Sequence, residues 1–260
     1  MWRPDIIDLS NFYSAPLGNL VRRHVGQSLA QLWPDVRGEK VLGVGYATPF
    51  LRPFLGQADR VLAAMPANQG IQHWPREGPN RVFLGDELEL PLPDQSMDRI
   101  VVVHALETTE AARPLLREIW RVLDSGGRAL FIVPNRRGLW ARAEHTPFGH
   151  GHPYTTGQLS RLLRANMFQP EHTDTALHFP PFGWRPLLRV NRLFERAGAR
   201  IWPGFAGLVM VEVSKQVFAV TPLPERRRRR RIRSAPALAP ATRTSIRDAG
   251  ADDGCAGDTE

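Results

Sequence analysis

Short apolar runs alternate with amphipathic helical segments through the first 223 residues, and this alternation constrains the fold more than any other feature of the chain. Val41-Leu-Gly-Val44 is an apolar run that stops at Gly45, as suits a strand buried on both faces. Similar runs follow at Arg60–Ala64, Arg81–Leu84, Arg99–His104 and Arg128–Val133. Leu17, Leu20, Val21, Val25, Leu29 and Leu32 recur at helical spacing, which predicts a helix over 16–33. Leu115, Ile119 and Val122 form a second stripe, with Leu116, Trp120 and Leu123 beside it. Ser125-Gly126-Gly127 is expected to end that helix and turn the chain into the next strand. Later, Thr175–Phe179 and Gly207–Val213 read as two more strands, with a helix at about 187–198 between them. Such alternation predicts an α/β fold, a doubly wound and mostly parallel sheet with helices on both faces.

A boundary falls near Pro222-Leu-Pro-Glu225. The expected division is one domain over 1–223 and a disordered Arg-rich, low-complexity tail over 224–260, too poor in apolar residues to repay its ordering entropy. The net charge of +8 divides accordingly. Nine of the 34 basic and six of the 26 acidic residues lie from Glu225 to Glu260, which leaves about +5 on the first 224 residues. Nucleic acid could bind through Arg226 to Arg233, but a solvated charge run is the favoured reading. One cysteine, Cys255, excludes an internal disulfide and a cysteine-rich zinc site. No apolar run approaches the ~18 residues of a membrane span, so a cytoplasmic location is expected.

In a doubly wound sheet the ligand sits beyond the carboxyl ends of the strands, at the switch point after the first one. That turn is Gly43-Val-Gly45-Tyr-Ala47-Thr48, with Thr48 a candidate N-cap and Pro49 a first-turn proline. Taken alone, one Gly-x-Gly after a strand reads equally as a plain tight turn. The absence of Gly-x-Gly-x-x-Gly with an acid about 20 residues on argues against a nicotinamide dehydrogenase.

Two later segments add more: Leu90-Pro-Leu-Pro-Asp-Gln-Ser-Met-Asp98 before the fourth strand, and Glu118-Ile-Trp-Arg-Val-Leu-Asp-Ser-Gly-Gly-Arg128 before the fifth. With the glycine turn, they resemble the class I S-adenosylmethionine-dependent methyltransferases, specifically the type 11 methyltransferase domain, over residues 38–135. Asn11-Phe-Tyr13, His145–His150 and Pro153-Tyr154 are similar to an uncharacterised bacterial branch. The resemblance implies a seven-stranded Rossmann-like sheet and S-adenosyl-L-methionine as cofactor.

It also implies a set of cofactor-binding positions. The acid of the family's loop pattern falls on Gly43, and its first glycine on Gly45. Further loop N–H donors come from Tyr46 and Ala47, facing the methionine part of the cofactor. The ribose-gripping carboxylate falls on Met65, a departure, as are Ala47 and Pro49 where the family has glycines. Asp86 matches the acidic residue that accepts from the adenine amino group, with Glu87 and Leu88 as backbone and wall. The sulfonium is expected near His104-Ala-Leu-Glu107; Asp98 is expected to be structural.

His104, at a strand end that points into the cleft, is the candidate general base; a histidine satisfied by local hydrogen bonds explains it as well. His145, Phe148, His150 and Tyr154 lie where a lid over the substrate would sit. Trp140, Phe182 and Trp184 could extend an aromatic wall. His150 and His152 have only Glu144 as a close carboxylate, so no metal is expected. The leading expectation is methyl transfer to a small-molecule acceptor. A catalytically silent methyltransferase-like binding protein, and an RNA-directed enzyme tethered by the arginine tail, are the alternatives.

Overall fold

The computed structural model describes residues 4–181 and 203–216. The expected helix at 187–198, Phe182, Trp184 and the tail over 224–260 lie outside the described residues.

Seven strands form one sheet: β1 (Lys40–Gly45), β2 (Arg60–Pro66), β3 (Val82–Gly85), β4 (Met97–Val103), β5 (Leu123–Pro134), β6 (Phe168–Ala176) and β7 (Leu208–Lys215). Their spatial order is β3-β2-β1-β4-β5-β7-β6. The first five pair in parallel, whereas β7 runs antiparallel to both β5 and β6. Two apolar layers flank the sheet because successive strand residues point to opposite faces. Val41, Ala63, Val101, Val103 and Leu130 face one layer with α1 (Ile6–Ser14) and α2 (Pro16–Leu32). Leu42, Ala64, Ile100, Val102 and Phe131 face the other with α4 (Ala112–Val122) and α5 (Thr156–Arg164). A central strand buried on both sides has to read as a continuous apolar run, which is why Ile100-Val-Val-Val103 is legible in the sequence.

Several local expectations are corrected. Thr48 does not cap a helix: it opens a single turn, α3 (Thr48–Leu51), whose cap position is Ala47 and which has no side-chain cap. The second late strand from the end is Phe168–Ala176 rather than Thr175–Phe179. This outer strand carries Gln169, Glu171, His172 and Thr173 exposed, so it lacks an apolar run, and it stops where Leu177 adopts φ +65°. Ser125-Gly126-Gly127 lies inside β5, since α4 ends at Val122 and the extended chain begins at Leu123. Helices α1 and α5 are additional to the expected elements. Each is set by its cap: Asp5 accepts from the Ile7 and Asp8 N–H groups, and Thr155 with Gln158 forms a reciprocal capping box.

The two segments that carry the family resemblance meet each other. Arg121 donates to the carbonyls of Leu90 and Leu92 (2.9 and 2.8 Å) and to the carboxylates of Asp94 (2.6 Å) and Glu118 (2.8 Å). Glu118 also accepts from the Leu90 N–H at 3.0 Å. They fasten the loop before β4 onto α4. Asp98 accepts from the Lys40 N–H at 2.8 Å and so ties the starts of β1 and β4 together.

Candidate active site

The chain leaves β1 for β2 on one side and returns through β4 on the other, so the switch point lies where β1 and β4 end side by side, Gly45 opposite Val103. Gly45 has φ +80°, and a Cβ there would stand 2.2 Å from the Val103 carbonyl oxygen; only glycine serves. The Tyr46 N–H donates to that same carbonyl at 2.9 Å, so in this conformation it is spent within the protein rather than offered to a ligand. Gly43 packs directly on α3, with Leu51 and Ala47 side chains 2.6 and 2.7 Å from where a Cβ would be. A carboxylate has no room there.

One residue beyond β4, His104 adopts φ +53° and is completely buried. Its Nε2 lies 2.8 Å from the Tyr13 hydroxyl of α1. The Tyr13 ring stacks on Tyr46 at 5.6 Å and meets Phe50 edge-on at 5.6 Å; Phe148 covers the imidazole at 4.8 Å. An aromatic layer therefore closes the ends of β1 and β4. Burial pushes the Tyr13 phenol well above its ordinary pKa, with the charges of Glu107 and Tyr46 adding to it.

Glu107 completes the cluster. Its Oε1 is 3.2 Å from His104 Nδ1, yet off the line of a formed hydrogen bond, and neither carboxylate oxygen has a donor although the residue is 1% exposed. Gln69, between β2 and β3, donates through Nε2 to the His104 carbonyl (3.2 Å) and leaves its own Oε1 buried and unpaired. Buried oxygens without donors are uncommon and costly, so a cluster of them asks for a ligand.

The lid residues divide. Phe148 reaches His104, while the loop at Gly151 and His152 lies on the Glu107 backbone, its N–H donating to Glu107 O at 2.7 Å. Gly151 has φ +82°, and a Cβ would strike that carbonyl at 2.3 Å. Tyr154 lines an open concavity of about 550 Å³ with Arg113, Arg136 and His152; its phenol is raised by burial and then by Glu107. His145 and His150 bond instead to the backbone oxygens of Pro181 and Glu144, at 2.7 and 2.8 Å. Trp140 supports Phe148 edge-on and donates to the Phe179 carbonyl.

On the other side, Met65 is buried at the end of β2, and an apolar thioether offers a ribose no charged acceptor. Asp86 is exposed just after β3, with one oxygen accepting from the Leu88 N–H at 2.8 Å in a tight turn with Glu87 and Leu88. Tyr13, Gln69 and Glu107 are candidate-site residues to which the sequence assigned no role, although Tyr13 and Glu107 lie in segments that carried the resemblance. A carboxylate three residues after the histidine in His104-Ala-Leu-Glu107 was the available signal for the last of them.

Residues 42–131 match the family described as a methyltransferase domain. The match spans the stretch from β1 into β5 and bears out the resemblance of that part of the chain to the type 11 methyltransferase domain. The chain is 32% identical over 96 residues to a probable S-adenosylmethionine-dependent methyltransferase of Mycolicibacterium smegmatis, covering 36% of this chain and 37% of that protein. It is 26% identical over 170 residues to the malonyl-[acyl-carrier protein] O-methyltransferase of Yersinia pestis, covering 62% of each. The alignments thus span less than two thirds of these relatives' own length. Among solved structures, an S-adenosylmethionine-dependent methyltransferase from Archaeoglobus fulgidus matches with TM-score 0.53 at 18% identity, over 75% of this chain and 94% of that one. Another from Mesorhizobium loti matches with TM-score 0.50 at 17% identity, over 72% and 95%. At such identities the likeness shows the fold: the Rossmann-like, seven-stranded arrangement.

S-adenosyl-L-methionine is the cofactor this family implies. Its ammonium, ribose hydroxyls and adenine amino group are hydrogen-bond donors. The unpaired oxygens of Gln69 and Glu107 and the open carboxylate of Asp86 are acceptors, so the donor and acceptor chemistry fits. Among the described residues no group of three potential metal ligands occurs, and no helix is long and apolar enough to cross a membrane.

Proposed function

We propose that this protein is an S-adenosylmethionine-dependent methyltransferase acting on a small-molecule acceptor at the His104 end of β4. The observation that carries the reading is the cluster of unpaired buried oxygens around His104, at the switch point of a sheet of this family. Gly45 and Ala47 would form the loop under the methionine part, Asp86 would take the adenine amino group, and Met65 with Leu88 would supply apolar wall. When bound, the cofactor supplies a methyl group on a sulfonium. The protein's task is then mainly to hold acceptor and methyl in line and to exclude water, which positioning can do. Phe148 and Tyr154 would cover the acceptor, and Tyr13 would have to move aside to admit it.

Met65 in place of a ribose-binding carboxylate would cost cofactor binding about 1.5–3 kcal/mol, the range for hydrogen bonds to charged groups. The second reading, a silent binding protein, draws on that residue and on the Tyr46 N–H bonded to Val103. Calorimetric titration with S-adenosylmethionine and S-adenosylhomocysteine decides between them. Saturable heat is expected, and no heat with no thermal shift at millimolar ligand overturns the proposal. The division at 223/224 belongs to the same proposal: removing 224–260 should leave that binding unchanged.

A further inference from the structure

We propose that His104 and Glu107 form a buried proton-accepting pair for a phenolic acceptor, and that the Tyr13 side chain keeps the acceptor's place. This rests on the methyltransferase reading above and names its acceptor class.

The argument begins with the proton positions. Glu107 carries only acceptor oxygens when ionised, and its Oε1 stands 3.2 Å from Nδ1, so the imidazole proton belongs on Nδ1. Nε2 is then a lone-pair acceptor. The Tyr13 phenol, buried beside the charge of Glu107, keeps its proton and donates it toward Nε2 at 2.8 Å. Thus the one group seen at Nε2 is a phenol hydroxyl, at the distance a general base needs from the proton it takes. The ring bearing that hydroxyl sits among Tyr46, Phe50 and Phe12, in offset or edge-on contacts at 5.6, 5.6 and 5.1 Å. Those contacts suit a planar aromatic ring with one hydroxyl.

The backbone of α1 is held at both ends, by the Asp5 cap and the Ile6 N–H on the Gln69 carbonyl at its start and by close packing on Gly18 of α2 at Phe12 and Tyr13, so exchange is a rotation of the Tyr13 side chain alone. A phenol entering as Tyr13 withdraws would meet the same acceptor nitrogen and the same rings. As its oxygen forms a bond to the methyl carbon, the carbon–sulfur bond breaks and its electron pair returns to sulfur. The phenol proton passes to Nε2, and the imidazolium so formed stands against the Glu107 carboxylate, which no other donor neutralises. His104 is then the catalytic residue and Glu107 a positioning residue that fixes its tautomer.

The test uses the full chain with 15N-labelled histidine and needs no cofactor. The His104 resonances should report Nδ1–H and an unprotonated Nε2 in the wild type and also in Tyr13→Phe, because Glu107 rather than Tyr13 sets the tautomer. Glu107→Gln should lose that preference. An Nε2–H tautomer in the wild type, or an unchanged Nδ1–H preference in Glu107→Gln, overturns the proposal. Tyr13→Ala leaves a ring-sized hole, and p-cresol should bind it about tenfold more tightly than toluene, as one hydrogen bond allows. Equal binding of the two overturns the phenolic site. Should Tyr13→Ala not fold, the tautomer in Tyr13→Phe decides alone. With S-adenosylmethionine present, Tyr13→Ala should convert p-cresol to 4-methoxytoluene. Failure of the cofactor to bind would count against the methyltransferase reading only, since the tautomer and the p-cresol preference are read without it.

Discussion

The two ends of β4 each carry a glutamate under a loop, and the two are treated oppositely. At the start of the strand, Glu118 accepts from Arg121 and from the Leu90 N–H, and its carboxyl is held below its ordinary pKa chiefly by the Arg121 hydrogen bond. At the end, Glu107 is buried more deeply and has no formed hydrogen bond, only His104 Nδ1 at 3.2 Å. The first end is a clamp whose polar groups are used up within the protein. The second keeps acceptors in reserve at a net cost to folding, which is the pattern expected where stability yields to function.

The largest expected effect comes from the end where β4 meets the glycine turn. Gly45→Ala should cost more than about 3 kcal/mol, because its Cβ overlaps the Val103 carbonyl and its φ is left-handed. Chemical denaturation showing a loss under 1 kcal/mol would mean that this end is looser than the structure has it. At the opposite end, Arg121→Met should cost about 2 kcal/mol, since two carbonyls and two carboxylates lose their donor in a partly exposed network. The same denaturation measurement checks it, and a neutral result would dissolve the idea of a clamp.

The two ends should also respond to opposite pH extremes. The folded Tyr13 phenol stays neutral well above pH 10, whereas in the unfolded chain it ionises near 10. Stability is therefore complete below about pH 10 and falls as pH rises from there through the folded value, by up to roughly 1.4 kcal/mol per unit. Tyr13→Phe should flatten that alkaline limb. Glu118 has the opposite sign, its stabilisation being present above the ordinary carboxylate pKa and lost as pH falls through the lowered folded value. Melting temperature against pH for Tyr13→Phe and Glu118→Gln separates the ends.

The smallest effect is the sharpest comparison. Glu118→Gln should destabilise by about 1 kcal/mol, whereas Glu107→Gln should be near neutral, because Glu107 makes no formed hydrogen bond and its buried carboxylate is offset only by the His104 imidazole at 3.2 Å. If both variants lose the same stability, the contrast between the two glutamates fails.

What could be read in the chain beforehand follows the same division. The strands β1, β4, β5 and β7 and the helix α4 were legible because a sheet buried on both faces imposes local apolar runs, and the clamp segments carried the family resemblance. The polar outer strand β6 and the short helix α1 were not, because neither has a pattern of its own strong enough to stand out. Gly45, Asp86 and His104 lie at or just past the ends of β1, β3 and β4, as their positions relative to the apolar runs predicted. Tyr13 could not be joined to His104, which is 91 residues away.

The sequence by itself determined the layered sheet and its switch point, because burial on both faces, turns and caps are recorded within a few residues of one another. Only the tertiary structure decided which polar groups remain without partners. Whether Glu107 is satisfied like Glu118 or left as a reserve depends on what α1, the Gln69 loop and the lid bring against it. A hydrogen bond withheld is a property of the packed molecule and not of any segment.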